Sequence, residues 1–143
     1  MKTLLISTTL ATLVATSAFA GGTPGAGFLE SWDYDADGQV TLAEITEKRG
    51  DVFVTFDEDG DGMLTAAEYV MFDEARAADQ ENERGNGNGG HGKASVGMTL
   101  EFNDVDGDGA VSQAEFVGQA EAWFAILDKN GDGVVTTADF GRQ

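Results

Sequence analysis

The sequence predicts an all-α protein of short helices that flank four acidic loops, and two observations support this prediction. Four segments of one pattern recur within the 143 residues, starting at residues 33, 57, 104 and 128. Apolar residues stand at helical spacing before these segments and directly after them, as expected for helices that bury one face. The length suits a single small domain, and the hydrophobic content of 41% is ordinary for a globular protein.

Each repeated segment places oxygen-bearing side chains at positions 1, 3 and 5, a glycine at position 6 and an acid at position 12. One of them, "DVDGDGAVSQAE", runs from Asp104 to Glu115. This is the pattern of a calcium loop, because calcium takes about seven oxygen ligands, including a backbone carbonyl at position 7 and a bidentate acid at position 12. The glycine permits the positive φ that such a turn needs. A solvated acidic turn is the alternative, but it explains a single match better than four.

The predicted ligands are the side chains at positions 1, 3, 5 and 12, the carbonyl at position 7, and a hydroxyl at position 9 suited to holding a water ligand. They are Asp33, Asp35, Asp37, Gln39, Thr41 and Glu44; Asp57, Asp59, Asp61, Met63, Thr65 and Glu68; Asp104, Asp106, Asp108, Ala110, Ser112 and Glu115; and Asp128, Asn130, Asp132, Val134, Thr136 and Asp139. The fourth loop is expected to bind calcium most weakly and to accept Mg²⁺ as well. Its Asn130 lacks a charge, and its Asp139 is one methylene shorter than glutamate.

The charge balance narrows the class of partner. With 26 acidic residues against 8 basic ones, the formal net charge of -18 makes nucleic acid or an anionic membrane an unsuitable partner and metal cations or a basic protein a suitable one. There is no cysteine, so disulfides and thiolate sites are excluded. No cluster of nucleophile, base and orienting residue is evident, so the chain is not expected to be an enzyme.

The first twenty residues, "MKTLLISTTLATLVATSAFA", have the pattern of a secretory signal, with cleavage expected after Ala20. A membrane anchor or a buried helix is the alternative, but the apolar run is short for a span. The mature chain, residues 21–143, would then have no membrane anchor and would be periplasmic or secreted. We expect two duplicated halves, about residues 26–79 and 96–143, joined by a flexible Gly/Asn-rich linker at about residues 80–95, with His91 a solvated linker residue.

The spacing of the loops predicts how they pair. Only twelve residues separate consecutive loops within each half, so one helix is expected to serve both loops. Loops at opposite ends of such a helix lie too far apart to pair, and small β-bridges would form between halves, with Val40 facing Val135 and Leu64 facing Val111. The alternative breaks the first helix at Gly50 and pairs neighbouring loops within each half.

The residues flanking the loops are expected to form the core. They are Leu29, Trp32, Ile45, Phe53, Phe56, Tyr69, Leu100, Phe116, Phe124, Leu127 and Phe140. Asn103 breaks this apolar pattern directly before the third loop.

In these loops the chain resembles the EF-hand (calmodulin-like) superfamily, and the resemblance implies helix-loop-helix repeats that bind calcium. The short loop spacing and the signal are similar to those of secreted bacterial EF-hand proteins, in particular the lanmodulin family of periplasmic lanthanide binders. That family has proline at position 2 and an acid at position 9, whereas this chain has Tyr34 at position 2 and Thr41 at position 9 of its first loop. Calcium is therefore expected rather than a lanthanide.

Up to four bound calcium ions are expected, in a calcium buffer or calcium-stabilised structural protein. The alternative is a calcium-dependent sensor or adaptor with a protein partner. Promiscuous grooves are usually rich in methionine, and the whole chain has 4. A less favoured alternative is a lanthanide binder.

Overall fold

The computed structural model describes residues 23–85 and 92–141, and these residues are mostly helical. The elements in chain order are α1 (Ala26–Trp32), α2 (Leu42–Phe56), β1 (Met63–Leu64), α3 (Ala66–Gly85), α4 (Gly92–Val96), α5 (Leu100–Asn103), β2 (Val111–Ser112), α6 (Gln113–Gly118), α7 (Ala120–Leu127) and α8 (Thr137–Phe140). The predicted all-α class is confirmed. The signal sequence predicted for residues 1–20 lies outside the described residues. None of the described helices has the length and apolar character needed to span a membrane.

Each loop ends at a hydroxyl residue that starts the next helix. Thr41 accepts the backbone N–H of Glu44 at 3.3 Å, and the carboxylate of Glu44 accepts the backbone N–H of Thr41 at 2.8 Å. This is a capping box, which satisfies two backbone donors that the first turn of a helix would leave free. The same reciprocal pair occurs in the other three loops, at positions 9 and 12, and the helices that follow begin there for this reason.

The predicted shared helix is present in the first half and interrupted in the second. Helix α2 runs without a break through Gly50, so the alternative with a helix end at that residue is wrong. In the second half α6 ends at Gly118 and α7 begins at Ala120, with Gln119 in a turn between them. Glycine is a weak helix former, and the side chain of Gln119 donates to the carbonyl of Phe102 at 2.9 Å, which holds the interruption in place.

The loops pair between the halves, as the loop spacing predicts. Strands β1 and β2 are antiparallel with Leu64 opposite Val111, and Val40 forms an isolated bridge with Val135. Both backbone hydrogen bonds of that bridge are 2.8 Å long. The first loop therefore lies beside the fourth and the second beside the third.

Both halves contribute to one core. Helix α2 packs against α6 and α7, with the rings of Phe53 and Phe116 6.0 Å apart at their centroids. All the flanking apolar residues predicted for the core lie in it or against it. The predicted linker needs a correction at its ends, since α3 continues to Gly85 and α4 begins at Gly92, and both are helical where the composition indicated a linker.

A buried arginine on α2 is the partner of Asn103, the residue that breaks the apolar pattern. Arg49 lies on the buried face of α2 and Asn103 takes the apolar position before the third loop, and both are 0% exposed. Arg49 Nη2 donates to Asn103 Oδ1, Nε to the carbonyl of Phe116 at 2.6 Å, and Nη1 to that of Gly97 at 3.0 Å. Burial lowers the pKa of Arg49 to about 10, so the side chain stays cationic at neutral pH. This network joins α2 of the first half to α5 and α6 of the second.

Candidate metal centre

The backbone of each loop is shaped by two left-handed residues. At position 6 the glycines have φ between 82° and 88°, as the sequence predicts. Position 4 is also left-handed, with φ of 71° to 75° at its three glycines and 58° at Ala36. The sequence signal for position 4 was the glycine in three of the four loops, which the calcium-loop pattern alone does not demand. Alanine in this region costs about 1 kcal/mol, so the first loop has the more strained turn.

Backbone hydrogen bonds within the loop hold the first three carboxylates. In the first loop Asp33 accepts the backbone N–H groups of Asp37 and Gly38, at 3.3 and 2.8 Å. Asp35 accepts the N–H of Asp37 at 3.1 Å, and Asp37 accepts that of Gln39 at 2.8 Å. The other loops repeat these bonds.

Carboxylate oxygens converge in three of the loops. Oxygens from positions 1, 3 and 5 lie within 4.8 Å of one another in the second and third loops, and in the first loop the group is Asp33, Asp35 and Glu44. Among the side chains that the structure describes, the one ion pair joins Arg76 and Asp73, so no loop carboxylate has a basic partner. Like charges this close repel unless a cation lies between them. An all-oxygen donor set of this kind fits a hard divalent cation.

The acid at position 12 joins the two ends of its loop. Glu44 Oε1 accepts the N–H of Tyr34 at 3.0 Å, while Oε2 accepts both the N–H and the hydroxyl of Thr41 at 2.8 Å. Desolvation raises the pKa of Glu44, but the hydrogen bonds from Thr41, Tyr34 and Asp35 outweigh it and the pKa is lowered. The hydrogen bonds from the position-9 residues likewise lower the pKa of Glu68 and of Glu115. These carboxylates are therefore ionised at neutral pH.

The pKa of Asp35 reflects the density of negative charge in the first loop. A backbone hydrogen bond from Asp37 lowers the pKa of Asp35, but desolvation and the charges of Asp37, Glu44 and Asp33 raise it more, and the net shift is upward. A carboxylate whose pKa is raised by its neighbours gains from a bound cation, since the cation reverses the sign of the local field.

The fourth loop has the same backbone hydrogen bonds as the others, but Asn130 at position 3 and Asp139 at position 12 change its set of oxygen donors. Asp139, which is 1% exposed, accepts the N–H of Lys129 at 3.1 Å and the N–H of Thr136 at 2.8 Å, so it ties the loop as the glutamates do. The amide of Asn130 donates to Asp132 Oδ2 at 2.9 Å and so occupies one carboxylate oxygen. Asn130 Oδ1 accepts the N–H of Asp132 at 2.8 Å.

Positions 7 and 9 were assigned as a carbonyl ligand and a holder of water. At position 7 the N–H groups of Gln39, Met63, Ala110 and Val134 donate to the acid at position 5, at 2.8 to 3.1 Å. The hydroxyls at position 9 serve in the capping boxes and donate to the acid at position 12. This capping role was not predicted from the sequence, although a Ser or Thr followed three residues later by an acid is the signature of a capping box.

Comparison with known proteins agrees with this geometry. A family model described as EF hand matches residues 50–73 and 120–142, which contain the second and fourth loops. A protein of Oryza sativa subsp. japonica named "Probable calcium-binding protein CML16" is 33% identical over 104 residues, covering 64% of this chain. The match spans 54% of that relative's own length. The helix-loop-helix fold, the two matched segments and this similarity together support membership of the EF-hand superfamily.

Proposed function

We propose that this chain is an exported calcium-binding protein in which each of the four loops takes one divalent cation. The single observation that supports this most is the convergence of carboxylate oxygens within 4.8 Å in three loops, where no described Lys or Arg forms an ion pair with them. The matched family and the name of the rice relative point to the same ion. The family match covers the second and fourth loops. The proposal includes the first and third loops as cation sites because they have the same backbone geometry and hydrogen bonds.

The role proposed is that of a calcium buffer or a calcium-stabilised structural protein. Outside the cytoplasm calcium is abundant, and extracellular modules bind it at about 10⁻⁴ to 10⁻³ M, so the loops would stay largely filled. Each loop pairs with one from the other half, through Val40 with Val135 and Leu64 with Val111. A cation bound in any loop would thus stabilise both halves, and removing it would leave unshielded carboxylates on both sides of the shared core.

Circular dichroism and thermal unfolding of residues 21–143 test this function. We expect helix content and thermal midpoint to fall in a chelator and to recover in millimolar calcium. Equal spectra and equal midpoints in both buffers would show that the fold does not depend on metal. The export part is tested separately by measuring the mass of the protein released from cells that express the full chain, where cleavage after Ala20 is expected. Retention of residues 1–20 would contradict it.

A calcium-dependent adaptor is the second candidate, and one observation favours it. A largely apolar cavity lies beside Trp32 and Phe56, the residues that directly precede the first and second loops. A protein partner could therefore sense whether those loops are filled. The test is a hydrophobic dye: binding that rises on calcium addition supports the adaptor, and binding that is independent of calcium supports the buffer.

The proposed metal is Ca²⁺ at all four loops, with Mg²⁺ competing best at the fourth. A lanthanide-binding role has less support. A trivalent ion favours an additional acid, whereas position 9 is a hydroxyl in every loop and already bonds the acid at position 12.

A further inference from the structure

The side chain of Tyr34 ties the first loop to the helix that follows it. Tyr34 stands at position 2 of the loop, and its hydroxyl donates to Oδ2 of Asp51, which lies beyond the middle of α2. The Lys48 ammonium, one turn before Asp51, lies 5.1 Å from the centre of the same ring. A cation at this distance from an aromatic face attracts it. The ring is therefore held by an acid and a base of α2, although the residue is 46% exposed.

The backbone of Tyr34 reaches the acid that closes the loop. Its N–H donates to Oε1 of Glu44 at 3.0 Å, and a carboxylate oxygen of Glu44 lies within 4.8 Å of oxygens from Asp33 and Asp35. In the second and third loops the converging oxygens come from positions 1, 3 and 5 instead. Tyr34 thus connects Asp51 on α2 with the position-12 carboxylate of the converging group.

Position 2 has no comparable side-chain contact in the other three loops, where it is Glu58, Val105 or Lys129. The backbone N–H of each donates to the acid at position 12, as that of Tyr34 does. Within the part of the chain that the structure describes, however, none of these three side chains hydrogen-bonds to a helix. The link from position 2 to the following helix is therefore particular to the first loop.

The first loop also has the least favourable turn. Its position 4 is Ala36 at φ 58°, whereas the other three loops have glycine there. A left-handed alanine is less favourable than a left-handed glycine, so this loop has the greater tendency to leave the closed conformation. A contact from outside the loop that opposes such opening has the most effect here.

We propose that Tyr34 is a positioning residue for calcium in the first loop. Its contacts with Asp51 and Lys48 hold the strained loop closed, so less ordering remains to be done when the cation binds. Preorganisation of this kind raises affinity because part of the ordering cost is met before binding. This inference rests on the proposed function, since it assumes that the first loop takes calcium.

The backbone amides of the position-6 glycines can report each loop separately. Gly38, Gly62, Gly109 and Gly133 each donate to the first acid of their own loop, so their NMR signals are expected to shift when that loop takes calcium. Calcium is titrated into residues 21–143 of the wild type and of Tyr34→Phe. We expect Tyr34→Phe to weaken the binding reported by Gly38 about fivefold, the effect of losing one hydrogen bond. The midpoints reported by Gly62 and Gly109, whose loops pair with each other, should stay unchanged.

Variants of α2 identify the partner of the hydroxyl. Asp51→Ala should weaken the binding reported by Gly38 as Tyr34→Phe does, and the two changes together should weaken it no further. Glu47→Ala is the matched control, because it removes an exposed acid from the same helix that is not the acceptor of the Tyr34 hydroxyl. It should have a smaller effect than Asp51→Ala.

Hydrogen exchange in the metal-free protein tests the positioning role without calcium. It is measured at a temperature below the unfolding transition of the metal-free form. The amide of residue 34 should exchange faster in Tyr34→Phe and in Asp51→Ala than in the wild type, and Glu47→Ala should leave its rate unchanged. Equal exchange rates in all four proteins would contradict a loop held closed by this contact.

The titrations separate a failure of this inference from a failure of the calcium function. If none of the four glycine signals shifts in millimolar calcium, the loops are not calcium sites and both proposals are wrong. If Gly38 shifts at the same calcium concentration in the wild type, Tyr34→Phe and Asp51→Ala, calcium binds but Tyr34 does not position the loop. Equal weakening at Gly38, Gly62 and Gly109 would show a general loss of stability, and would also overturn the inference.

Discussion

Replacing Asn103 with leucine, the apolar residue type that the repeat pattern predicts there, is expected to destabilise the protein. Asn103 Oδ1 is the acceptor for Arg49 Nη2, and both side chains are fully buried. The carbonyls that Asn103 Nδ2 reaches keep other donors, since Gly97 still accepts from Arg49 at 3.0 Å and Thr99 from the Tyr69 hydroxyl at 3.4 Å. The cost is therefore dominated by one charged donor left without an acceptor, about 2 to 3 kcal/mol.

A double-mutant cycle with Arg49→Met isolates this interaction. Methionine removes the guanidinium, whose Cζ lies 4.3 Å from the ring centre of Phe116, and keeps much of the volume of the apolar stem. We expect Arg49→Met alone to cost about 2 kcal/mol or more, because acceptors at Asn103 and Phe116 lose their donor. In the double variant Asn103→Leu should cost much less than in the wild type, with a coupling of about 2 kcal/mol.

Urea unfolding in saturating calcium, with a common m-value, measures the free energies for this cycle. Costs that simply add, with a coupling below about 0.5 kcal/mol, would refute the idea that these two residues are partners.

Four further predictions concern three glycines and the fourth loop. Gly97→Ala should destabilise strongly, because its Cβ would lie 1.9 Å from Cδ1 of Trp123. Gly50→Ala, in the middle of α2 with nothing within 4 Å of a Cβ, should stabilise by about 0.5 to 1 kcal/mol. Thermal unfolding checks both the Gly97 and the Gly50 variants, and equal changes in their thermal midpoints would contradict the packing described. Gly107→Ala, at φ 75°, should cost about 1 kcal/mol without any clash, and a neutral result by urea unfolding would count against the left-handed turn. Asp139→Glu should tighten calcium at the fourth loop, measured as the lowest-affinity step of a calcium titration, and an unchanged or weaker step would show that the length of this acid is not limiting.

The fold and the loop pairing could be predicted because they follow from local spacing. Twelve residues between loops fit one helix better than two, and an apolar residue at position 8 identifies the strand pairs, so Val40 opposite Val135 was predictable. The break between α6 and α7 was not, because Gly50 and Gly118 look alike in sequence. Only the second has a neighbour, Gln119, whose side chain is held by a distant carbonyl.

The convergence of carboxylates in three loops was also predictable, since position and residue type place them there, whereas the full set of ligands stays a prediction. What the sequence could not indicate is the pairing of Arg49 with Asn103, because the two lie 54 positions apart and each looks like an exception when taken alone. The cavity was equally hidden, because its walls come from five helices and no local pattern marks them.

Calorimetric titration of calcium into metal-free residues 21–143 tests the central claim most directly. The account predicts four equivalents per chain, and one fewer for Glu44→Gln, which weakens the acid at position 12 of the first loop. Two equivalents that are unaffected by Glu44→Gln would restrict binding to the loops in the two matched EF-hand segments. The absence of any saturable binding would contradict the assignment of these loops as metal sites.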